Sequence, residues 1–186
     1  MHAIMVAESS DDDGHILIHD RNSNDNLIYM AKMGGSNIAH GQRLDTNNVE
    51  TASNVWDTSQ AGIISSVIRD DASGALSVDG GSVNNPDNVG DGVTFGNELT
   101  IGSQDNESTA FWDGELAELV IWDRELTADE QTGVLSILAD KWGTASVSAT
   151  EEQIAAGQQA LAIPEPASLA LLGLGGLMML PRRRRR

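Results

Sequence analysis

The stretch "LTIGSQDNESTAFWDGELAELVIWDRELTADEQTGVLSILADKW" runs from Leu99 to Trp142 and changes character twice. It opens on a short apolar run ending in Ile101-Gly102, then crosses a polar cluster, "SQDNES". After Phe111-Trp112-Asp113-Gly114 comes "ELAELVIW" (115–122), a run whose apolar content and flanking turn residues predict a strand. The next switch is to a helix. Thr127, followed three residues later by Glu130, forms a capping box, in which each side chain accepts from the other residue's backbone N–H. Val134, Leu135, Leu138 and Trp142 then recur at helical spacing. Lys141 suits the negative end of the helix dipole, and Gly143 suits the left-handed position that ends a helix.

Upstream, short apolar runs alternate with Gly, Asn, Asp and Ser clusters. The runs are "HAIMVA" (2–7), "HILIHD" (15–20), "NLIYMAKM" (26–33), "GIISSVIR" (62–69), "ALSVD" (75–79) and "VTF" (93–95). Strands at such spacing, bounded by turn residues, predict an all-β, antiparallel two-sheet sandwich with one C-terminal helix. Within it, "DDASGALSVDGG" (70–81) reads as a hairpin closed by a second Gly turn. Residues 144–163 have little apolar periodicity and read as a spacer, partly helical around Glu151 to Leu161.

Residues 99–142, together with "SSVIRDDASGALSVDGG" (65–81), resemble the concanavalin A-like, laminin-G-type jelly roll. The resembling parts are a strand ending in Ile-Gly, an aromatic-Asp-Gly, a strand bearing an acid, "WDRELTADE" and a final helix. The resemblance places the domain at 1–143 and implies that its first strands are missing. It implies binding to sugars or proteins, in some members with Ca²⁺, and in a minority glycosidase activity.

The enzyme reading fails on spacing. Laminarinase-type members of that fold carry carboxylates at i, i+2 and i+4 of one strand, two of which flank the glycosidic bond. Here Asp113 and Glu115 would share a face, but the third place is Ala117. Glu118 falls on the other face, beside Leu116, Val120 and Trp122, and reads as a part-buried structural carboxylate. No Gly-x-Ser-x-Gly elbow or phosphate loop is present.

His15 and His19 lie in a β-pattern run without a third ligand and read as surface residues. "SSDDDGHILIHD" (9–20) partly imitates a Ca²⁺ loop, but lacks the first acid, the final Glu and the flanking helices, so it reads as a hairpin turn. A calcium site drawn from Asp79, Asp105, Asn106 and Asp113 fits the need of that ion for many oxygen ligands. Polar turn chemistry explains the same residues without metal. Trp56 and Trp112 border loops and are the candidates for stacking on a sugar ring; Trp122 and Trp142, and on the same grounds Trp56, also suit the core.

The chain has no cysteine, which excludes disulfides and thiolate metal sites. It carries 11 basic and 28 acidic residues, a net charge of −17. Five of the basic residues are terminal; residues 1–163 hold 6 basic against 27 acidic residues. Such a body repels nucleic acid and anionic lipid.

The last residues, "PEPASLALLGLGGLMMLPRRRRR" (164–186), depart from all this. A helix from Ala167 to Leu180 would be ~21 Å long at about 1.5 Å per residue, short for a bilayer core of about 30 Å. Gly173, Gly175 and Gly176 weaken it, and Pro181 stops it. The arginine block cannot pack beside a core, and it would stay on the cytoplasmic side of a membrane. Pro164-Glu165-Pro166, the apolar run and Arg182, Arg183, Arg184, Arg185 and Arg186 together resemble the PEP-CTERM sorting signal. That resemblance implies a transient inner-membrane helix, cleavage by an exosortase-type transpeptidase, and delivery to the cell surface or exopolysaccharide matrix. The N-terminus has no basic region, and its apolar run, Ala3 to Ala7, is too short for an export signal. An N-terminally truncated sequence is therefore expected. The function expected is an exported, non-catalytic adhesion or carbohydrate-binding module, against the alternative of a structural matrix protein.

Overall fold

A computed structural model describes residues 1–9, 16–23, 26–33, 37–43, 49–52, 56, 60–69, 73–84, 99–103 and 111–162. Among the described residues ten strands and two helices follow in order: β1 (His2–Ser9), β2 (Ile16–Ser23), β3 (Asn26–Met33), β4 (Asn37–Arg43), β5 (Val49–Ala52), β6 (Gly62–Ile68), β7 (Gly74–Val78), β8 (Gly81–Asn84), β9 (Leu99–Ile101), β10 (Gly114–Trp122), α1 (Ala128–Trp142) and α2 (Glu151–Leu161). They form two antiparallel five-stranded sheets, β10-β1-β6-β7-β8 and β5-β4-β3-β2-β9. The last strands return to the first: β9 pairs with β2, and β10 with β1.

β1 and β2 belong to different sheets, so they are not paired as the hairpin expected at 9–20 requires. The hairpin expected at 70–81 does form, with β6 antiparallel to β7 and a turn at Asp79-Gly80 leading to β8. β4, β5 and β8 escaped the reading of apolar runs. Their sequences, "NIAHGQR", "VETA" and "GSVN", have no apolar run to announce them. The expected strand at 93–95 lies outside the described residues.

The central strands β1 and β6 of the first sheet are buried on both faces, which explains why they read as apolar runs rather than alternating ones. Ala3, Met5 and Ala7 of β1 with Ile64, Leu76 and Val78 meet Met30 and Ile38 of the other sheet and Trp56 in one cluster. The alternate residues Ile4 and Val6, with Ile63, meet Leu126, Val134, Leu135, Leu138 and Ala139 in a second cluster under α1. Each of the larger of these side chains contributes roughly 1.5–3 kcal/mol by leaving water.

α1 begins as its sequence predicts: Thr127 and Glu130 close the capping box, and Gly143 takes the left-handed conformation at φ 68°. α2 has a capping box of its own, between Thr150 and Gln153. It lies within the segment expected to be a spacer, and it packs on α1 where Gly133 and Gly157 bring the two backbones together. A Cβ on Gly133 would fall on the Gln153 carbonyl oxygen, so the crossing requires glycine. Trp122 Nε1 donates to Ala160 O at 3.0 Å and fastens α2 to β10. Among the described residues no helix is long and apolar enough to cross a membrane; the expected apolar C-terminal helix and the sorting signal, 164–186, lie outside them.

Candidate functional site

The site is built where β1 ends and β10 begins. Gly114 approaches the Glu8 carbonyl so closely that any side chain there would collide with backbone. Ser9 Oγ donates to Asp113 O at 3.4 Å, and Trp112 N donates to Gly102 O at 2.7 Å. These contacts hold residues 111–115 against both strand ends. The result is an open cavity of about 400 Å³ lined by Glu8, Asp113, Gly114 and Glu115. Glu8 and Glu115 are cross-strand partners.

Two aromatic residues, Phe111 and Trp112, directly precede Asp113 in the chain. Trp112 stacks on Trp56 with ring centroids 5.8 Å apart and planes 6° from parallel. Neither indole N–H has a hydrogen-bond acceptor among the described residues. Phe111 is 53% exposed, and Ile101 is 50% exposed. A surface with an exposed ring next to carboxylates suits a sugar, whose apolar face stacks while its hydroxyls find acceptors.

Several expectations need correction. Trp56 is only 2% exposed, so its ring faces serve the core and are closed to a sugar. Trp112 is half-buried and offers at most the face turned away from Trp56. Trp142, expected in the core, is 41% exposed at the last turn of α1. Of the calcium candidates, Asp79 sits in the β7–β8 turn at φ 50°. Its Oδ1 accepts from Ile63 N at 2.8 Å, and its own N–H donates to Ile63 O at 2.8 Å. Asp113 is exposed at the cavity; Asp105 and Asn106 lie outside the described residues. Among the described residues no three His, Asp or Glu side chains come together as a metal group. His19 lies on β2, and His15 lies outside the described residues.

The acid-bearing strand differs from strict alternation in one place. The β1–β10 register shifts between Val6 and Ala7, which face Glu118 and Leu116, so Ala117 is skipped as a bulge. Leu116 and Leu119 therefore both pack on the inter-sheet core, and Leu116 is not on the face of Glu118. Glu118 itself is structural, as its position suggested: its Oε2 accepts from Lys141 Nζ at 2.9 Å and from Trp142 Nε1 at 2.7 Å. Burial opposes its ionisation, but these two bonds and the Lys141 charge outweigh it and hold the carboxyl below its usual value. That is the opposite of what a general acid needs.

Glu8 and Phe111 were missed by sequence reasoning. The alignment of Glu8 with Glu115 exists only through the register of two strands more than a hundred residues apart, which no local pattern reveals. Phe111 was legible as an aromatic beside Trp112 in a loop.

Residues 2–130 match the family described as the concanavalin A-like lectin/glucanases superfamily. No curated protein matches in sequence. Among solved structures, the chain is similar to the carbohydrate-binding module CBM40 of the Ruminococcus gnavus IT-sialidase. With that module bound to α2,3-sialyllactose the TM-score is 0.57 at 10% identity, covering 69% of this chain and 78% of that one. With the module bound to α2,6-sialyllactose it is 0.56 at 10% identity, covering 69% and 79%. These likenesses concern the fold.

Proposed function

Because the chain belongs to the concanavalin A-like lectin/glucanase superfamily, we propose that it is a non-catalytic carbohydrate-binding module whose binding surface lies where β1 ends and β10 begins. The observation that carries this reading is the cavity lined by Glu8, Asp113 and Glu115 beside exposed Phe111 and the half-buried Trp112. Three carboxylates there disfavour an anionic sugar, unlike the sialyllactose bound by the CBM40 module, and favour a neutral or basic polysaccharide. A glycan array run with and without EDTA tests it. Binding that is lost in Phe111→Ala supports the site; no glycan bound under either condition leaves the reading of a structural matrix protein.

The same proposal extends to the ends of the chain and to calcium. Residues 164–186, with their resemblance to a sorting signal, support export to the cell surface or polysaccharide matrix through an exosortase-type enzyme at the inner membrane. Calcium is proposed as an accessory ion at the loops bearing Asp105, Asn106 and Asp113, and the EDTA arm of the array is its test.

One observation favours a second reading. Glu8 and Glu115 face one cavity from neighbouring strands, and two carboxylates across a cleft are what a glycosidase uses. Release of reducing sugar from β-glucans, abolished by Glu115→Gln, would establish it and overturn the non-catalytic reading.

A further inference from the structure

His2 is the buried titratable group that the carbohydrate site leaves unused. It is 0% exposed, on the face of β1 that α1 covers. Its Nδ1 accepts from Leu126 N at 3.2 Å, the residue just before the Thr127 cap of α1. With Nδ1 an acceptor, the neutral ring carries its proton on Nε2, which lies 2.8 Å from Ser65 Oγ of β6. Gln131 of α1 donates to that same Ser65 Oγ at 3.2 Å, and the Trp122 ring of β10 meets the imidazole edge-on at 5.8 Å. One imidazole thus joins β1, β6, β10 and the entry to α1.

We propose that His2 is an acid-responsive clamp: protonation of its Nδ1 releases the α1–α2 hairpin from the outer face of the first sheet. A protonated imidazole has two N–H donors and no acceptor, so Nδ1–H would confront the Leu126 N–H and that bond is lost. The surroundings compensate only in part. From β6 and its end come Ser65 and Arg69; from the segment before α1 come Arg124 and Glu125; the Met1 ammonium lies at the strand start. Glu125, the one acid among them, is already paired with Arg69. α1 contributes the neutral Gln131, and β10 the neutral Trp122. Burial lowers the His2 pKa to about 4; the charge of Glu125 opposes the shift in part, and the positive neighbours add to it. Release uncovers Ile4, Val6 and Ile63 together with Leu135 and Leu138, an apolar surface suited to self-association.

The test is hydrogen exchange of the full chain from pH 7 to pH 4, corrected for intrinsic rates, in wild type and in His2→Gln. Glutamine stays neutral throughout and retains an acceptor and a donor, while the carboxylates titrate alike in both proteins. The expected result is a loss of protection in α1 and α2 of roughly a hundredfold by pH 4 in wild type, given the shift of the His2 pKa, with β3 and β4 protected and with His2→Gln largely resistant. Equal loss in both proteins, or no loss in wild type, overturns the clamp. Where His2→Gln does not fold, nitrogen NMR of wild-type His2 decides. A ring that titrates near its ordinary value while α1 stays protected refutes the proposal. A ring whose low-pH titration coincides with α1 release supports it.

Discussion

The two faces of the first sheet solve the same burial problem differently. Toward the second sheet, Ala3, Met5, Ala7 and Ile64 meet Met30, Ile38 and a stacked tryptophan pair. That side is held by packing, and among the described residues it leaves the Trp56 and Trp112 indole N–H groups without partners. Toward the helices, Ile4, Val6 and Ile63 are packed too, but a polar lattice of His2, Ser65, Gln131 and Trp122 is threaded through the contact. The apolar side fixes the sandwich. The latticed side fixes where α1 starts and where α2 docks. Orientation by hydrogen bonds is therefore concentrated at the layer that the sequence presents as one capped helix and a spacer partly helical around Glu151 to Leu161.

Neighbouring residues Ile63 and Ile64 allow the sharpest attempt to break this contrast, since both are 0% exposed and they face opposite clusters. Ile63→Ala and Ile64→Ala should each cost about 2–5 kcal/mol in urea unfolding. Ile64→Ala should also weaken the near-ultraviolet dichroism of the Trp56–Trp112 stack, while Ile63→Ala should leave it and loosen α1 in hydrogen exchange. Identical signatures from the two variants would mean one indivisible core.

A substitution at the helix crossing is the next in size. In an isolated helix, Gly133→Ala would stabilise by about 1 kcal/mol. Here the new Cβ meets the Gln153 backbone, which cannot move aside without undocking α2. A net loss of about 1–3 kcal/mol is expected, with a new protease cut between α1 and α2 and unchanged glycan binding. A more stable Gly133→Ala protein with α2 still docked would show that the crossing is loose.

Caps come third. Thr127→Ala should cost about 1 kcal/mol by freeing the Glu130 N–H that its hydroxyl accepts at 3.3 Å. The same box responds to acid. The Arg124 hydrogen bond, then the Thr127 backbone N–H, lower the Glu130 pKa to about 2. A depressed carboxylate gives stability that is present above its unfolded pKa and lost as pH falls from 4.5 toward 2. His2 acts in a different window. Its neutral form is favoured by folding, so its contribution is full above pH 6.5 and falls as pH drops toward 4. Thermal melts of Thr127→Ala and His2→Gln between pH 7 and pH 2 should separate the two windows; coincident losses would tie both to one event.

The residues explain which parts were legible. Thr127, Glu130 and Gly143 act within one turn of their own helix, so α1 could be read from local sequence with its caps. "ELAELVIW" declared a strand, yet its faces were misassigned after Ala117, because a bulge arises from the pairing with β1 and not from the strand alone. "NIAHGQR" is a strand by virtue of neighbours on either side and "VETA", at the sheet edge, by pairing with it, and nothing in their own composition says so. α2 was half legible: its capping residues and helical content are local, but the docking that makes it part of the body rests on a glycine in a different helix. The site divides the same way. Asp113 and Glu115 were visible as a pair, Glu8 joined them only through the fold, and Trp56 was lost to the core.

The smallest expected effect tests the contrast at its outer edge. Glu118 joins β10 to the end of α1, with its side chain 24% exposed and that of Lys141 52% exposed. Ion pairs this open contribute little, about 0–1 kcal/mol. Glu118→Gln keeps an oxygen that can accept from Trp142 Nε1, so it should stay within about 0.5 kcal/mol of wild type and leave Trp142 fluorescence unchanged. Glu118→Ala removes the acceptor for both Lys141 and Trp142, and should cost about 1 kcal/mol with a red-shifted Trp142 emission. Neither change touches the cavity at Glu8 and Glu115, which opens elsewhere on β10. Glycan binding should therefore survive both. If Glu118→Gln alone removed binding, or removed a hydrolytic activity, the working surface would extend along β10 from Glu115 to the end of α1.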